Sequence, residues 1–212
     1  MLTYKSHYLP DVIKGILVSA KYSLKNPFSV PVYCGRGHIF KKHKTARVVI
    51  NGRLSIGRPV SELSEAKAVM RVRKNATLEI NGKVNLGRGV VTIVNDGARL
   101  KIGNNTYVAA DSKIYASEEI VIGADCALSW DLTIIDSDFH ELEYNGVTPP
   151  MTAPIHIGNH VWIGCKVTIL KGVTIGDGAI IAAGSVVTND IPPGCLAAGN
   201  PARVIKENVS WD

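Results

Sequence analysis

From Ile157 onward an aliphatic residue returns at every sixth position, at Ile157, Ile163, Ile169, Ile175, Ile181 and Val187. Two positions before these lie Ile155, Val161, Val167, Val173, Ala179 and Ser185, and Gly158, Gly164 and Gly176 follow three of the repeat aliphatics. A period of six is neither the period of an amphipathic helix nor that of a simple strand. A six-residue unit cannot bury an apolar face alone, so a sustained run of them implies units stacked along an axis, each covering the one beneath. Small and β-branched residues suit short strands and glycine suits corners. The pattern predicts a β-solenoid.

The same spacing occurs upstream in Ile102, Val108, Ile114 and Ile120, then two residues out of step in Ile122, Leu128 and Ile134, and more weakly around Ile50, Ile56, Ile80 and Leu86. If three units make one triangular turn, each turn takes about 18 residues and rises by the ~4.8 Å between paired strands, so residues 48–190 give about six to eight turns. Residues 136–154 interrupt the rhythm with polar residues, Gly146 and the Pro149-Pro150 pair. They read as an excursion from the stack.

Residues 7–24 place Tyr8, Val12, Ile13, Ile16, Leu17 and Ala20 at helical spacing, with Lys14, Lys21 and Lys25 nearby. This predicts a short amphipathic helix, either a cap on the open end of the solenoid or a membrane-surface contact. The expected organisation is a cap segment over 1–35, a repeat body over 36–195 carrying the 136–154 loop, and a tail over 196–212.

Three Phe and three Trp among 212 residues suit a narrow aliphatic column better than a core packed around aromatics. The net charge of +6 favours acidic ligands such as phosphates. The cations are spread along the chain without an aromatic-rich face, which argues against nucleic acid. One local cluster, Arg36, His38, Lys41, Lys42, His43, Lys44 and Arg47, suits acidic lipid, a phosphorylated acceptor or plain solvent. Cys34, Cys126, Cys165 and Cys195 form no CxxC pair, the N-terminus lacks a signal-peptide pattern and no apolar run is long enough to span a bilayer. The expectation is a reduced, cytoplasmic protein, at the inner face of the membrane if the helix attaches there.

The segment Asp136-Ser137-Asp138-Phe139-His140-Glu141 sets an imidazole among carboxylates, where Asp136 or Asp138 can orient it and raise its basicity. Such a string is also an ordinary polar turn. Its position at the start of a loop leaving a rigid scaffold favours chemistry, because the scaffold holds position while the loop supplies groups.

Residues 155–207, IHIGNHVWIGCKVTILKGVTIGDGAIIAAGSVVTNDIPPGCLAAGNPARVIKE, resemble the C-terminal half of the hexapeptide-repeat acyltransferases. The pattern is nearest to the maltose, galactoside and polysaccharide O-acetyltransferase branch, where a histidine lies in a loop just before this block, as His140 does. The resemblance covers about residues 100–207. It implies an all-β, left-handed parallel β-helix, a homotrimer, acetyl-CoA as co-substrate without a metal, and active sites between adjacent subunits. His140 would take the proton of an acceptor hydroxyl that attacks the thioester directly, and the backbone N–H near Cys165 would face the oxyanion. For CoA the resemblance implies Trp162, Cys165, Ala183, Thr188, Arg203 and Lys206, and for the acceptor Asp111, Ser112 or Tyr115. The chain departs from many relatives in having Asn189 where they have Lys and Cys165 where they have Ser or Asn. The implied acceptor is a carbohydrate or a lipid-linked glycan, with an amino group on a sugar behind a hydroxyl. Two other readings compete: a γ-carbonic-anhydrase-like zinc site drawing on His140, His156 and His160, and a solenoid scaffold without chemistry.

Overall fold

The computed structural model describes residues 13, 15–18, 20, 31–35, 37–58 and 64–212. Twenty strands lie among the described residues. The first six are β1 (Val32–Cys34), β2 (Ile39–Lys42), β3 (Arg47–Ile56), β4 (Val69–Val72), β5 (Thr77–Leu86) and β6 (Val91–Val94). The middle of the chain adds β7 (Arg99–Ile102), β8 (Thr106–Val108), β9 (Lys113–Ala116), β10 (Glu119–Ile122), β11 (Ala127–Leu128) and β12 (Thr133–Ile135). After the 136–154 loop come β13 (Ile155–Ile157), β14 (Trp162–Ile163), β15 (Thr168–Ile169), β16 (Thr174–Ile175), β17 (Ile180–Ile181), β18 (Val186–Val187), β19 (Leu196–Gly199) and β20 (Ala202–Lys206).

Every pairing is parallel except the last, in which β20 runs antiparallel to β19 and closes the end of the stack. The strands form three faces. The first stacks the start of β5 with β7, β10, β13 and β16; the second stacks the end of β5 with β8, β11, β14, β17 and β19; the third runs β2, β4, β6, β9, β12, β15, β18. The first two faces count as one sheet because β3 and β5 continue round a corner, so that Thr77 pairs with Arg99 and Val84 with Thr106. The first parallel strand, β1, falls inside the segment that the pattern assigns to the cap, and the tail contains two strands.

The turns are not all 18 residues. Val69 sits opposite Val91, a step of 22, and Lys113 opposite Thr133, a step of 20, before Thr168 and Val186 settle into 18. Upstream strands of four residues become two-residue strands downstream. Extra residues widen a coil without lengthening the stack, because hydrogen bonding fixes the rise. This is why the six-residue rhythm is faint upstream.

All six repeat aliphatics from Ile157 to Val187 are at most 2% exposed, as are all six residues two positions earlier. All of these except Ser185 form, together with Leu78, Leu100, Ile114, Ile120 and Leu128, one aliphatic column. Corners are tight: a Cβ added to Gly123 would strike the Gly158 carbonyl oxygen of the next coil. Side chains at the corners tie neighbouring coils: the Lys83 amide donates to Asn104 Oδ1, Ala124 to Asn159 Oδ1, Asn159 to Asp177 Oδ1 and Thr174 to Asp190 Oδ1. Such bonds satisfy amides that no strand ladder reaches.

Residues 13, 15–18 and 20 are helical, and Val18 packs against the core while Ile13, Ile16 and Leu17 stay exposed. Tyr8, Val12, Lys14, Lys21, Lys25 and Arg36 lie outside the described residues. In the rest of the basic cluster the His38 ring accepts the Ala68 amide, Lys42 donates to the Ala46 carbonyl and His43 bonds Thr45, while Lys41, Lys44 and Arg47 are exposed. Among the described residues no helix is long and apolar enough to cross a membrane.

Candidate active site

The loop leaves the third face at Ile135 and returns to the first at Ile155. It is an ordered arm. Ser137 bridges Thr152 and Tyr144 bridges Val147 in antiparallel fashion, with Asn145 and Gly146 turning the tip at φ of 51° and 75°. Two consecutive residues with positive φ make the turn that suits a tight hairpin, and Asn-Gly is the pair that adopts it most readily.

Lys171, on the coil after the loop, holds both arms. Its ammonium lies 2.6 Å from Asp138 Oδ2 and donates to the Pro150 carbonyl. Asp138 is therefore an anchor of the loop through Lys171. Next along the chain, Phe139 takes φ of 59°, donates its amide to the buried Ser137 hydroxyl and meets Tyr115 edge-on at a centroid distance of 6.3 Å. His140 follows, exposed, with no hydrogen bond of its ring inside the chain among the described residues. The arm thus fixes the residue before the imidazole and leaves the imidazole open.

Asp136 has a different job from orienting His140. It is fully buried, and its two carboxylate oxygens accept the amides of Ser117 at 2.6 Å and Glu118 at 2.8 Å. It belongs to the set of corner side chains that tie one coil to the next. Burial pushes its carboxyl above the usual aspartate range, against the pull of those two amides.

The residues expected at CoA lie elsewhere on the prism. Cys165 and Ala183 share the corner between the second and third faces, where the Gly184 amide donates to the Cys165 carbonyl. The amides on either side of Cys165, at Gly164 and Lys166, are used inside the chain, whereas that of Cys165 has no acceptor there among the described residues. Trp162 is on the outer side of the second face and 43% exposed. Its register continues through Ile180 and Leu196 to Lys206, so Trp162 and Lys206 share one outer row. Arg203 lies on β20, its guanidinium donating to the Ala202 carbonyl, and the Thr188 hydroxyl donates to Asn189. His140, on the corner between the third and first faces, does not meet this group within one chain.

Of the acceptor candidates only Tyr115 lies beside the loop. Ser112 is fully buried, with its hydroxyl between the carbonyls of Ala110 and Ser129 and the amide of Leu132, so it is closed to any ligand. Asp111 sits on the far corner and accepts the Ser64 hydroxyl at 2.7 Å.

Two features escape the pattern. Lys171 had no signal, since its partner Asp138 is 33 residues away in sequence and only the loop's closure brings them together. Trp211 had a faint one, an aromatic in a polar tail. It stacks on His160 at 4.2 Å and 6°, donates its indole N–H to the His160 carbonyl and lies 6.3 Å from Trp162. His156 is on the first face, His160 on the corner after it and His140 on the loop, and among the described residues no three His, Cys, Asp or Glu side chains converge.

Residues 154–189 match the family described as bacterial transferase hexapeptide, six repeats. Over these residues the chain carries the hexapeptide repeat of that family. It is similar to the galactoside O-acetyltransferase of Escherichia coli, 59% identical over 68 residues, and spans about a third of that relative's length (32%). Among solved structures it is similar to a polysialic acid O-acetyltransferase, 28% identical over 82% of this chain and 92% of that one, with a TM-score of 0.64. It is also similar to a hexapeptide-repeat acetyltransferase of Vibrio cholerae crystallised with acetyl-coenzyme A, 28% identical over 63% of this chain and 71% of that one, with a TM-score of 0.51. The hexapeptide-repeat fold is the left-handed parallel β-helix that the resemblance implied.

Proposed function

We propose that this protein is an acetyl-CoA-dependent O-acetyltransferase that acetylates a hydroxyl of a sugar or surface-glycan precursor. The observation that carries the reading is the ordered 136–154 arm, which fixes Phe139 and leaves the next residue, His140, open at the surface of a hexapeptide-repeat stack. The similar proteins named above, a galactoside O-acetyltransferase, a polysialic acid O-acetyltransferase and an acetyltransferase holding acetyl-CoA, support the same chemistry.

In this reading His140 removes the proton of the acceptor hydroxyl as its oxygen attacks the thioester carbonyl. The tetrahedral intermediate places its oxyanion at the free Cys165 amide. Collapse expels the CoA thiolate, which takes the proton from the imidazolium. A base so positioned contributes about 10²- to 10⁴-fold in rate, and an amide aimed at the oxyanion acts where the charge develops.

His140 and Cys165 occupy different corners of one prism, so the site is completed by a second copy, in a homotrimer whose neighbour presents its Cys165 corner to the loop. Trp162, Ala183, Thr188, Arg203 and Lys206 line the CoA side, with the two cations suited to its phosphates. Asp138 acts as a positioning residue through Lys171, and Tyr115 flanks the acceptor.

The test incubates the protein with acetyl-CoA and neutral and acidic oligosaccharides, and separates free CoA and product by chromatography. A thiol reagent is unsuitable, because Cys165 is partly exposed. The reading requires acceptor-dependent CoA release, a product heavier by one acetyl group and no acetyl adduct on the protein. CoA release without acetylated product, or a covalent acetyl-protein, would reject it.

A further inference from the structure

Three strands from β20, the outer row of the second face continues away from Trp162 through Ala127 to Tyr107, Asn85 and Ser55. There it opens into a pocket of ≈ 350 Å³ lined by Arg53, Arg58, Lys83, Asn85, Asn105 and Tyr107, among others. Nothing in the reading above uses this pocket.

Its lining carries an excess of positive charge. Arg53, Arg58 and Lys83 are exposed, and among the described residues none of them makes an ion pair. One acid stands beside the lining, Asp125, which accepts the Asn105 side-chain amide and pairs with none of the three cations. Three cations round one concavity hold a positive potential, because the low-dielectric wall focuses the field into the opening.

It also has an unused acceptor. Asn85 Oδ1 is buried without a hydrogen-bond partner, one of only two such side-chain atoms among the described residues. A buried carbonyl left unpaired is costly, and such groups in native structures call for a partner. Beside it Tyr107 is 37% exposed and offers a flat apolar face with a polar tip.

The three features together select a ligand with an anionic group, a neighbouring O–H donor and a ring face. The geometry points to this pocket as the binding site for an anionic sugar of the acceptor glycan, its carboxylate or phosphate held by Arg53, Arg58 and Lys83 and a ring hydroxyl donating to Asn85. This rests on the glycan O-acetyltransferase reading and narrows its acceptor to an acidic saccharide. From Tyr107 to Trp162 is two strand steps, about 10 Å at the spacing between paired strands. A short oligosaccharide lying along the row reaches from the pocket towards the Trp162 end of the face.

The test is calorimetric binding, without acetyl-CoA, of a sialic acid trimer, glucose 6-phosphate, inorganic phosphate and maltotriose to the wild type, Asn85→Ala and an Arg53→Ala/Lys83→Ala double variant. Arg53 and Lys83 are exposed and Asn85 is half-buried, and unchanged thermal unfolding verifies the fold of each variant. At least one anionic sugar should bind tighter than maltotriose, weaken with salt and lose tenfold or more in the double variant. Which one binds tells carboxylate from phosphate. Asn85→Ala should weaken the same ligand several-fold. Equal binding of maltotriose, full affinity in the double variant, or inorganic phosphate matching both anionic sugars would overturn the site. The two readings fail separately. Acidic-sugar binding without any acetyl transfer removes the enzyme and keeps the pocket. Acetyl transfer to a neutral sugar, with the acceptor KM unmoved in the double variant, removes the pocket and keeps the enzyme.

Discussion

Replacing Lys171 by Met keeps the length of the side-chain stem and removes the charge that joins the two arms of the 136–154 loop. The 2.6 Å pair with Asp138 has its carboxylate side chain 45% exposed, so solvent screening limits it to about 0.5–1 kcal/mol. The bond to the Pro150 carbonyl adds about 1 kcal/mol, below the usual range for a charged donor because the acceptor is exposed. The loop should therefore open more easily by about 1.5–2 kcal/mol, and since about 1.4 kcal/mol is a factor of ten, its open population should rise more than tenfold. Hydrogen exchange reads this directly at two amides, Asp138, which donates to Met151, and Ala153, which donates to Asp136. Both should exchange at least tenfold faster in Lys171→Met, while amides of the β14 and β17 core rows stay as they were. The kcat of acetyl transfer should fall with KM for acetyl-CoA unchanged, because the change is in where His140 is held. Asp138→Asn should reproduce the smaller part of the effect and add little to Lys171→Met. Unchanged exchange at both amides, or faster exchange spread evenly over the solenoid, would refute the role given to Lys171.

Thr92 occupies a core position on β6, fully buried with its hydroxyl unpaired, between Met70 and Ile114 in register. Thr92→Val should stabilise the fold by about 1 kcal/mol and raise Tm by about 2–4 °C in thermal unfolding, by removing an unsatisfied polar group. Asp136 titrates with a pKa raised by burial, so the folded state holds its proton more tightly than the unfolded chain. Its contribution is fully present below the ordinary aspartate pKa and is lost as pH rises through the raised one. Urea midpoints from pH 3 upward should show that slope in the wild type and not in Asp136→Asn. Cys34, Cys126 and Cys195 are buried and only Cys165 is partly exposed, and burial raises the Cys126 thiol further from reaction. A thiol reagent should label one cysteine per native chain, and acetyl-CoA should slow that labelling.

The repeat body was legible because its period is a packing constraint. Each aliphatic from Ile157 to Val187 must fill the column, so the chain cannot vary it without opening a void. Upstream the wider coils relax the spacing, and Ile50 is only partly buried where the pattern expected the column. The position of His140 could be read for a related reason, since a polar break in a rigid rhythm marks a loop. The partners of that loop could not. Asp136 and Asp138 are two residues apart and look equivalent in sequence, yet the bend at Asp136, where the chain leaves β12, sets the first inward on the Ser117 and Glu118 amides and leaves the second to Lys171. Ser112 gives no sign in sequence of its place either: a small polar residue at a corner, it bonds the backbone of its own stack. The pocket at Asn85 was invisible because Arg53, Lys83 and Tyr107 come from three successive coils.

The central claim is that His140 is the base of an acetyl transfer. The decisive measurement is acceptor-dependent CoA release by wild type and His140→Ala, at saturating acetyl-CoA, with acetyl-CoA affinity measured on both. Loss of about 10²- to 10⁴-fold in kcat with unchanged acetyl-CoA affinity is the predicted result. A His140→Ala variant that transfers acetyl groups at the wild-type rate would contradict it.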